Sequence, residues 1–347
     1  MDDLIPPGPE TEPPAADVLA QMAQGLLVSQ TLVAAEDLDL FTFLSAKGAA
    51  TVAEVAAGVG VDERPAEIVL TACAALGLVE RDGAGFRNTP VADHYLVRGR
   101  PYFFGDYIRM LRDHAFTGWM RVTEAVRSNR PSRWTAEQRE DIFTSENRAK
   151  LFWDGLYPLS AVTARALGEA VDLGGVTRLL DVGGGGAAFD IELCRRYPGL
   201  RATVYDLPHV CEHAAERIGA AGLSERVSPH PGDFFADEEL PDGHDAILLS
   251  MIMHDWDEAR NRELLGKCFR ALPRGGLLVI SELLVDDDRT GPLDAALMSL
   301  NMLVATWGRN YTAGEYGDWL RAAGFDDVRT VRFRAPGANG AVLARKP

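Results

Sequence analysis

The sequence predicts an α/β protein in which a doubly wound, mainly parallel sheet follows a mostly helical region. After Val176, short apolar runs alternate with stretches of helical spacing, a pattern typical of parallel strands joined by helices. Before Val171 the apolar residues recur mainly at helical spacing. The chain has 347 residues, of which 47% are hydrophobic, and this length and composition favour two domains over one.

Composition and charge exclude several classes of protein. A net charge of -16 argues against a nucleic acid as partner, because an acidic chain repels phosphates. The four cysteines are scattered without a C-x-x-C pair, which indicates neither a disulfide framework nor a zinc site. The acidic run Asp286–Asp288 is typical of a solvated loop, so we assign no metal site. Since we find no signal peptide and no apolar run of about 18 residues, we expect a cytoplasmic protein without a membrane partner.

The first hundred residues divide into a tail and a compact helical domain. Residues 1–15 are acidic and proline-rich, which predicts a disordered tail. Residues 16–100 end in a helix, a turn, a second helix and a hairpin, which together form a winged-helix pattern. Asp62 is placed to cap the second helix, Gly77 ends it, and the hairpin turn is expected at Asp82-Gly83.

A winged helix can bind DNA or act as a packing and dimerisation module. Its second helix here has Glu63, Arg64 and Glu67 where a DNA-binding helix has a basic face, which favours the second interpretation. The stretch ADVLAQMAQGLLVSQTLVAAEDLDLFTFL also contains more apolar residues than one surface helix can bury on a single face. We therefore predict a homodimer formed mainly by these N-terminal helices.

Residues 101–171 are predicted to be mainly helical and contain many aromatic side chains. Aromatic side chains usually fill a core, but a few can line a pocket for a flat substrate. The sequence by itself leaves both interpretations open for this region.

A glycine loop follows the first strand of the predicted sheet. The stretch RLLDVGGGGAAFDIELCRRYPGL predicts a strand, the loop and a helix, and the next strand, in TVYDLP, ends at Asp206. Glycines allow the backbone to approach a ligand closely, and a carboxylate after the second strand can accept from ribose hydroxyls. The spacing Gly183-x-Gly185-x-x-Ala188 with Asp206 loosely fits a dinucleotide such as NAD.

Two further features favour S-adenosylmethionine over NAD. Asp181 directly precedes the loop, where its carboxylate could hold a cationic amino acid group. The segment PGDFFAD follows the third strand and offers Asp233 and Phe234 to a purine, although a helix cap is the structural alternative for Asp233. Adenosine joined to a cationic amino acid describes S-adenosylmethionine, which we predict as the cofactor.

His254 lies just after the fourth predicted strand, DAILLSM, and Glu282 lies at the corresponding end of the fifth. Ligands bind at such strand ends in open α/β sheets. A neutral imidazole can remove a phenol proton as the methyl transfers, which typically contributes about 10²–10⁴-fold to the rate. Glu282 would fix the tautomer and stabilise the imidazolium. A structural histidine is the alternative, but the loop together with Asp206, Asp233 and Glu282 favours a catalytic base.

Taken together, the motifs resemble the plant-type small-molecule O-methyltransferases and their bacterial natural-product relatives. The segments that show this resemblance are LLDVGGGGAAF, VYDLP, PGDFF, MHDWDE, GGLLVISE and MSLNMLVATWGRNYTAGEYGDWLRAAGF, the last of which is similar to acetylserotonin O-methyltransferases. The resemblance implies a Rossmann-like class I methyltransferase domain in residues 172–347, which binds the cofactor. It implies a winged-helix dimerisation domain in residues 16–100 and a substrate-lining region in residues 101–171.

The resemblance also implies a role for individual residues. His254 matches the base and Glu282 an acid that orients it. The cofactor contacts are then Asp181, Gly183, Gly185, Asp206, Leu207, Gly232, Asp233, Phe234 and Ser250. The contacts to a small aromatic substrate are Trp153, Leu156, Asp255 and Asn301.

Three positions depart from the family pattern. Ala187 stands where the loop usually has its last glycine, which we expect to narrow the approach of the cofactor. Asn310 replaces the second orienting acid of plant members, and Ser250 replaces a lysine often found four residues before the base.

Three functions compete at this point. The first is O-methylation of a phenol in an aromatic natural product. The second is methylation of a ring carbon, in which His254 would form a phenolate that pushes electron density into the ring. The third is a ligand-sensing winged-helix regulator, against which the acidic second helix speaks. The motifs favour the first function but leave the methyl acceptor open.

Overall fold

The described residues of the computed structural model are 16–132 and 146–347, with no side chains described for 146–151. The predicted tail, residues 1–15, lies outside them. Two compact units divide after Arg98, close to the boundary that the sequence predicts at Arg100. Residues 99–347 form a single unit, so the aromatic region 101–171 belongs to the same unit as the sheet.

The N-terminal unit is helical with one small hairpin. Its elements are α1 (Asp17–Ala23), α2 (Gly25–Asp37), α3 (Leu40–Lys47), α4 (Val52–Val59), α5 (Glu63–Ala75), β1 (Val79–Asp82), β2 (Gly85–Asn88) and α6 (Pro90–Tyr95). Asp62 is the N-cap residue of α5, but its side chain makes no capping hydrogen bond. Asp82 pairs with Gly85, so the hairpin turn is Gly83-Ala84 and not Asp82-Gly83 as expected. The predicted helix, turn, helix and hairpin are all present.

Helices α1 and α2 expose apolar side chains. Met22 is 72% exposed and Leu27 63%, and no residue of α1 is buried. An unburied apolar surface of this kind is typical of an interface. Among the described residues, no single helix is long and apolar enough to cross a bilayer, while α1 and α2 pass that test only as a bent pair, by length and composition.

The second unit begins with helices and ends with the sheet. The helices that precede the sheet are α7 (Gly105–Met110), α8 (Phe116–Trp119), α9 (Val122–Ser128) and α10 (Glu146–Ala170), with a π-helical turn at Leu111–Ala115. The strands are β3 (Arg178–Val182), β4 (Arg201–Asp206), β5 (Val227–Pro231), β6 (Ala246–Ser250), β7 (Leu277–Glu282), β8 (Asp326–Arg332) and β9 (Gly340–Arg345). The helices between strands are α11 (Ala188–Arg196), α12 (Pro208–Ala220), α13 (Glu258–Ala271), α14 (Leu293–Ala305) and α15 (Ala313–Ala323).

The seven strands form one sheet in the order β5-β4-β3-β6-β7-β9-β8. Strands β3 to β7 are parallel, and β9 runs antiparallel to both of its neighbours. The chain winds outward from β3 to β5 and then restarts at β6, on the other side of β3. Ligands in such sheets bind at this switch point, beyond the carboxyl ends of the strands.

Apolar side chains alternate between the two faces of the sheet. Leu179 faces a core that includes Leu167 of α10 and Phe189 of α11. Leu180 faces the opposite core, which includes Leu264 of α13 and Trp319 of α15. Because helices cover both faces of the central strands, β3, β6 and β7 are continuous apolar runs. The edge strands β5 and β8 are mostly exposed.

Candidate active site

His254 lies where the chain leaves the central strand β6. Met251, the first residue after β6, has a left-handed backbone (φ 57°), and Met253–Asp255 then form a 3₁₀ turn. This turn directs the chain across the switch point of the sheet instead of straight into α13. His254 is 6% exposed and lies in the wall of a cavity at this edge of the sheet.

Glu282 holds both the ring and the backbone of this turn. Its Oε2 lies 2.6 Å from Nδ1 of His254, and its Oε1 accepts from the backbone N–H groups of Met253 (3.0 Å) and His254 (3.4 Å). Nδ1 is therefore engaged. Nε2 lies 3.9 Å from Oδ1 of Asp255, which also lines the cavity.

The pKa of His254 is raised from 6.5 to about 9. Burial alone lowers the pKa, but the charges of Glu282 and Asp255 and the hydrogen bond to Glu282 together outweigh it. An acid that stabilises the imidazolium in this way also makes the neutral imidazole a stronger base.

Three residues that the sequence did not indicate position this turn. Buried Asn261 donates through Nδ2 to the carbonyls of Met253 (2.8 Å) and Trp256 (3.1 Å). The hydroxyl of Tyr311 donates to the same Trp256 carbonyl (2.6 Å). Gly308 packs so closely that a Cβ there would lie 2.0 Å from the His254 carbonyl oxygen. The only sequence signal was a polar residue, Asn261, on a helix face that turns out to be buried.

The glycine loop follows β3 with Gly183 and Gly185 both at positive φ. Gly185 lies against the indole of Trp153, which a Cβ would approach to 2.7 Å. Asp206 ties the loop to the next strand, because its Oδ2 accepts from the Gly185 N–H (2.9 Å) and its Oδ1 from the Leu207 N–H (2.7 Å). Burial raises the pKa of Asp206 to about 6, although these two backbone bonds lower it.

Asp181 is fully buried beneath the loop and borders the cavity. Its Oδ2 has no hydrogen-bond donor among the described residues, and neither oxygen of buried Asp190 has one. The two carboxyl groups are close neighbours, and the charge of Asp190 disfavours ionisation of Asp181. Burial first, and then Asp190, raise the pKa of Asp181 well above its usual value, and burial raises that of Asp190 to about 7. An unpartnered carboxylate oxygen beside a cavity fits a cationic ligand group.

In the segment after β5, Asp233 caps the turn that follows it. Its Oδ1 accepts from the N–H groups of Phe235 (2.8 Å) and Ala236 (3.1 Å). This is the capping role that the sequence left open as an alternative for Asp233. Its Oδ2 takes part in neither bond. The ring of Phe234 reaches the glycine loop, where its Cε1 would lie 3.7 Å from a Cβ on Gly183. Gly232 packs against the ring of Tyr205, which a Cβ would approach to 2.2 Å.

A cavity of about 480 Å³ opens from the loop past His254 to α14. Its walls include aromatic and thioether side chains, among them Tyr107, Phe152, Tyr157, Met110, Met298 and Met302. The predicted ligand contacts in its lining are Trp153, Leu156, Asp181, Gly183, Gly185, Ser250, His254, Asp255 and Asn301. Asp206, Leu207, Gly232, Asp233 and Phe234 lie outside this cavity, next to it at the ends of β4 and β5.

Within this cavity the amide of Asn301 has a defined orientation. The indole N–H of Trp119, itself in the lining, donates to Oδ1 of Asn301 (2.8 Å). The Nδ2 donor then lies 3.7 Å from the sulfur of Met298, a weak acceptor. The amide N–H is therefore available to a ligand.

One expectation about the departures from the family pattern is wrong. Ala187 does not narrow the cavity, because its methyl group belongs to the hydrophobic core behind the loop. Ala187 instead strains the backbone, because its φ is 62°. This left-handed conformation destabilises a residue that has a Cβ by about 1–2 kcal/mol. Asn310 donates to the Leu283 carbonyl (2.8 Å) rather than to His254. The Oγ of Ser250 is buried without a partner among the described residues.

Comparison with protein families accounts for nearly the whole chain. Residues 119–326 match the model of the O-methyltransferase domain, and residues 20–98 match that of the O-methyltransferase dimerisation domain. The chain belongs to the O-methyltransferase family. The resemblance, the fold class and the enzyme class that the sequence predicts are thereby confirmed.

Individual relatives agree with this family. A 3-hydroxy-5-methyl-1-naphthoate 3-O-methyltransferase of Streptomyces sahachiroi is 55% identical over 95% of each chain. Acetylserotonin O-methyltransferase of Bos taurus is 37% identical over 95% of this chain and 97% of its own. The crystal structure of human N-acetylserotonin methyltransferase in complex with S-adenosylmethionine has a TM-score of 0.86 and 33% identity, over 97% of this chain and 99% of that one.

This O-methyltransferase therefore uses S-adenosylmethionine, as the sequence predicts, and not NAD. It is an enzyme of the natural-product O-methyltransferase type, and not the ligand-sensing regulator that was the third candidate function. That it binds neither nucleic acid nor a membrane stays a prediction.

Proposed function

We propose that this O-methyltransferase methylates a phenolic hydroxyl on a bicyclic aromatic acceptor of the hydroxynaphthoate type, with His254 as the general base. The observation that carries the proposal is the Glu282–His254 pair in the wall of a cavity bounded by aromatic and thioether side chains. Support for the acceptor class comes from the naphthoate-specific name of the relative that is 55% identical.

The protonation states of the base follow from its surroundings. Because Nδ1 is engaged by Glu282, Nε2 is the atom that takes the phenol proton. With a pKa of about 9, only about one His254 in a hundred is neutral at pH 7. The reactive complex has one proton fewer than the complex of imidazolium and neutral phenol. The rate should therefore rise with pH up to about 9, the pKa of His254. S-Adenosylmethionine supplies the electrophilic methyl group when it is bound.

The proposed cofactor contacts are supported by unpartnered polar atoms. Asp181 offers the orphaned Oδ2 to the ammonium group of the cofactor, and Ser250 offers a buried hydroxyl. Asp206 is proposed to accept from the ribose through the remaining lone pairs of its carboxylate. Asp233 and Phe234 are proposed to contact the adenine through Oδ2 and the ring face, and Gly183, Gly185, Leu207 and Gly232 to admit the cofactor through their backbone.

The acceptor would lie between the base and the aromatic wall. Asp255 and Asn301 are polar residues in the lining of this cavity, and the oriented amide of Asn301 can donate to an oxygen on the acceptor. Trp153 and Leu156 supply flat and apolar contact from α10. Holding the hydroxyl in line with the methyl group is itself a large part of such catalysis.

We also propose that the enzyme is a homodimer in the cytoplasm. The dimerisation-domain match and the exposed apolar face of α1 and α2 support the dimer. The four cysteines are free thiols, all buried, as is usual in a reducing compartment.

The acceptor is tested by incubating the enzyme with labelled S-adenosylmethionine and 3-hydroxy-1-naphthoate, 2-naphthol or N-acetylserotonin. Mass spectrometry detects the added methyl group, and NMR distinguishes O-methyl from C-methyl. We expect the methyl ether of the hydroxynaphthoate as the main product. A C-methylated product, or the absence of transfer to every phenol by protein that binds S-adenosylhomocysteine, would contradict the proposal.

A further inference from the structure

Lys267 of α13 is a buried lysine outside the catalytic pair. Its side chain is only 7% exposed. An ammonium group at such a site needs hydrogen-bond acceptors for its three protons. The described residues supply them from a single segment of the chain.

The ammonium of Lys267 bonds to the backbone that follows β5. Nζ donates to the carbonyl oxygens of Asp237 (2.7 Å), Phe234 (2.9 Å) and Phe235 (3.2 Å). The carboxylate of Glu263 lies farther away, 3.5 Å from Nζ. Three backbone carbonyls of one short loop therefore converge on one cation that comes from a different element.

Among the described residues, the other hydrogen bonds of this loop are formed within it or with β4. Arg260 of α13 also lies over the ring of Phe235, 4.7 Å from its centroid. Asp233 Oδ1 caps the turn, as described above, and Asp237 Oδ2 accepts from the Asp233 N–H (3.1 Å) and from the Tyr205 hydroxyl (2.5 Å). These bonds fix the shape of the loop. The bonds to Lys267 fix the loop against α13, the helix that begins directly after the turn of His254.

We propose that Lys267 is a positioning residue for the adenine subsite, whose ammonium holds the loop 234–237 so that the Asp233 carboxylate and the Phe234 ring face the base. The inference rests on the proposed assignment of these two residues to the adenine. On this assignment the adenine lies against the ring of Phe234, whose own carbonyl Lys267 holds at 2.9 Å. Release of that carbonyl would let both the ring and the carboxylate shift.

The test replaces the ammonium by an apolar chain of similar length, in Lys267→Met. Lys346→Met is the matched control, because Lys346 also donates to two carbonyls at the end of α13, those of Leu272 (2.7 Å) and Arg270 (3.4 Å), without contacting the loop. Calorimetry measures the binding of S-adenosylhomocysteine and of S-inosylhomocysteine, in which an oxygen replaces the adenine amino group. No methyl acceptor is needed, so the result is independent of the proposed acceptor and of His254.

We expect the wild type and Lys346→Met to prefer the adenine form. Lys267→Met should bind S-adenosylhomocysteine roughly 10- to 100-fold more weakly, the range for hydrogen bonds to a charged group, with a smaller loss for the inosine form, so that the preference falls. Lys267→Gln, which keeps a donor, should lie between the two and serves instead if the methionine variant does not fold.

Two outcomes would overturn the inference. An unchanged preference in Lys267→Met, with both affinities intact or both reduced equally, would mean that the lysine only stabilises the fold. Equal binding of both compounds by the wild type would refute the assignment of Asp233 to the adenine, and the inference with it.

Discussion

The replacement of Glu282 by glutamine isolates the effect of its charge on the base. Glutamine keeps the size of the side chain, and its amide oxygen can still accept from Nδ1 of His254. Its amide NH₂ group then replaces Oε1, which accepts from the Met253 and His254 N–H groups in the wild type. The negative charge 2.6 Å from Nδ1 is lost. We therefore expect the imidazole to keep its place while its pKa falls.

The size of this fall follows from the surroundings of the ring. The rise from 6.5 to about 9 corresponds to about 3 kcal/mol of stabilisation of the imidazolium, and Glu282 is the nearest charge. Burial of the ring, which lowers the pKa, is unchanged in the variant. The pKa of His254 should therefore fall to about 6.5 or below. The weaker base should also lower the plateau rate by about tenfold, since proton transfer follows base strength.

NMR titration of the His254 imidazole and single-turnover rates between about pH 6 and 10 measure these effects. Asp255→Asn should shift the midpoint in the same direction by less, because its carboxylate lies 3.9 Å from Nε2. Glu239→Gln changes an exposed glutamate and should shift nothing. If Glu282→Gln titrates near pH 9 like the wild type, the carboxylate does not control the base and our reasoning is refuted.

Three further variants test the remaining proposals. Asp206→Ala should weaken S-adenosylhomocysteine binding by roughly 1.5–3 kcal/mol by calorimetry, the range for hydrogen bonds to a charged group, and unchanged affinity would exclude Asp206 from the site. The affinity of the wild type should rise with pH around 7, because the bound ammonium favours ionisation of the Asp181–Asp190 pair. Asp190→Asn should flatten this rise between about pH 6 and 8, whereas a slope that persists would contradict the assignment of the titration to Asp190. The wild type should be a dimer by light scattering at micromolar concentration, and Met22→Glu with Leu26→Glu should be a monomer; a monomeric wild type would contradict the proposed interface.

The sheet and the catalytic pair were open to prediction because their signals are local. The central strands are continuous apolar runs bounded by turn residues, since helices cover both faces there. His254 and Glu282 each follow such a run, and parallel strands bring their carboxyl ends to one edge. Asp181 and Asp206 were predicted as ligand contacts for the same reason.

The residues that position the site could not be predicted, because their roles depend on contacts between segments that are distant in the sequence. Lys267 reads as an ordinary surface lysine in the helical pattern of α13, and its three carbonyl partners lie about 30 residues earlier in the chain. Asp190 reads as an acidic residue in the first turn of α11, where acids are common, and only the fold places it beside Asp181. The methyl group of Ala187 could point to the cavity or to the core, and the left-handed backbone that decides this is not visible in the sequence.

The most direct test of the central claim compares wild type and His254→Ala in two measurements on the same preparations. We predict that single-turnover methyl transfer at neutral pH falls by about 10²–10⁴-fold, the range for a positioned general base. Binding of S-adenosylhomocysteine should stay nearly unchanged, because the proposed cofactor contacts follow β3, β4 and β5 while His254 follows β6. The residual rate should rise with pH as the phenol itself ionises. Wild-type transfer by His254→Ala at neutral pH would show that the histidine is structural and that proximity alone drives the reaction.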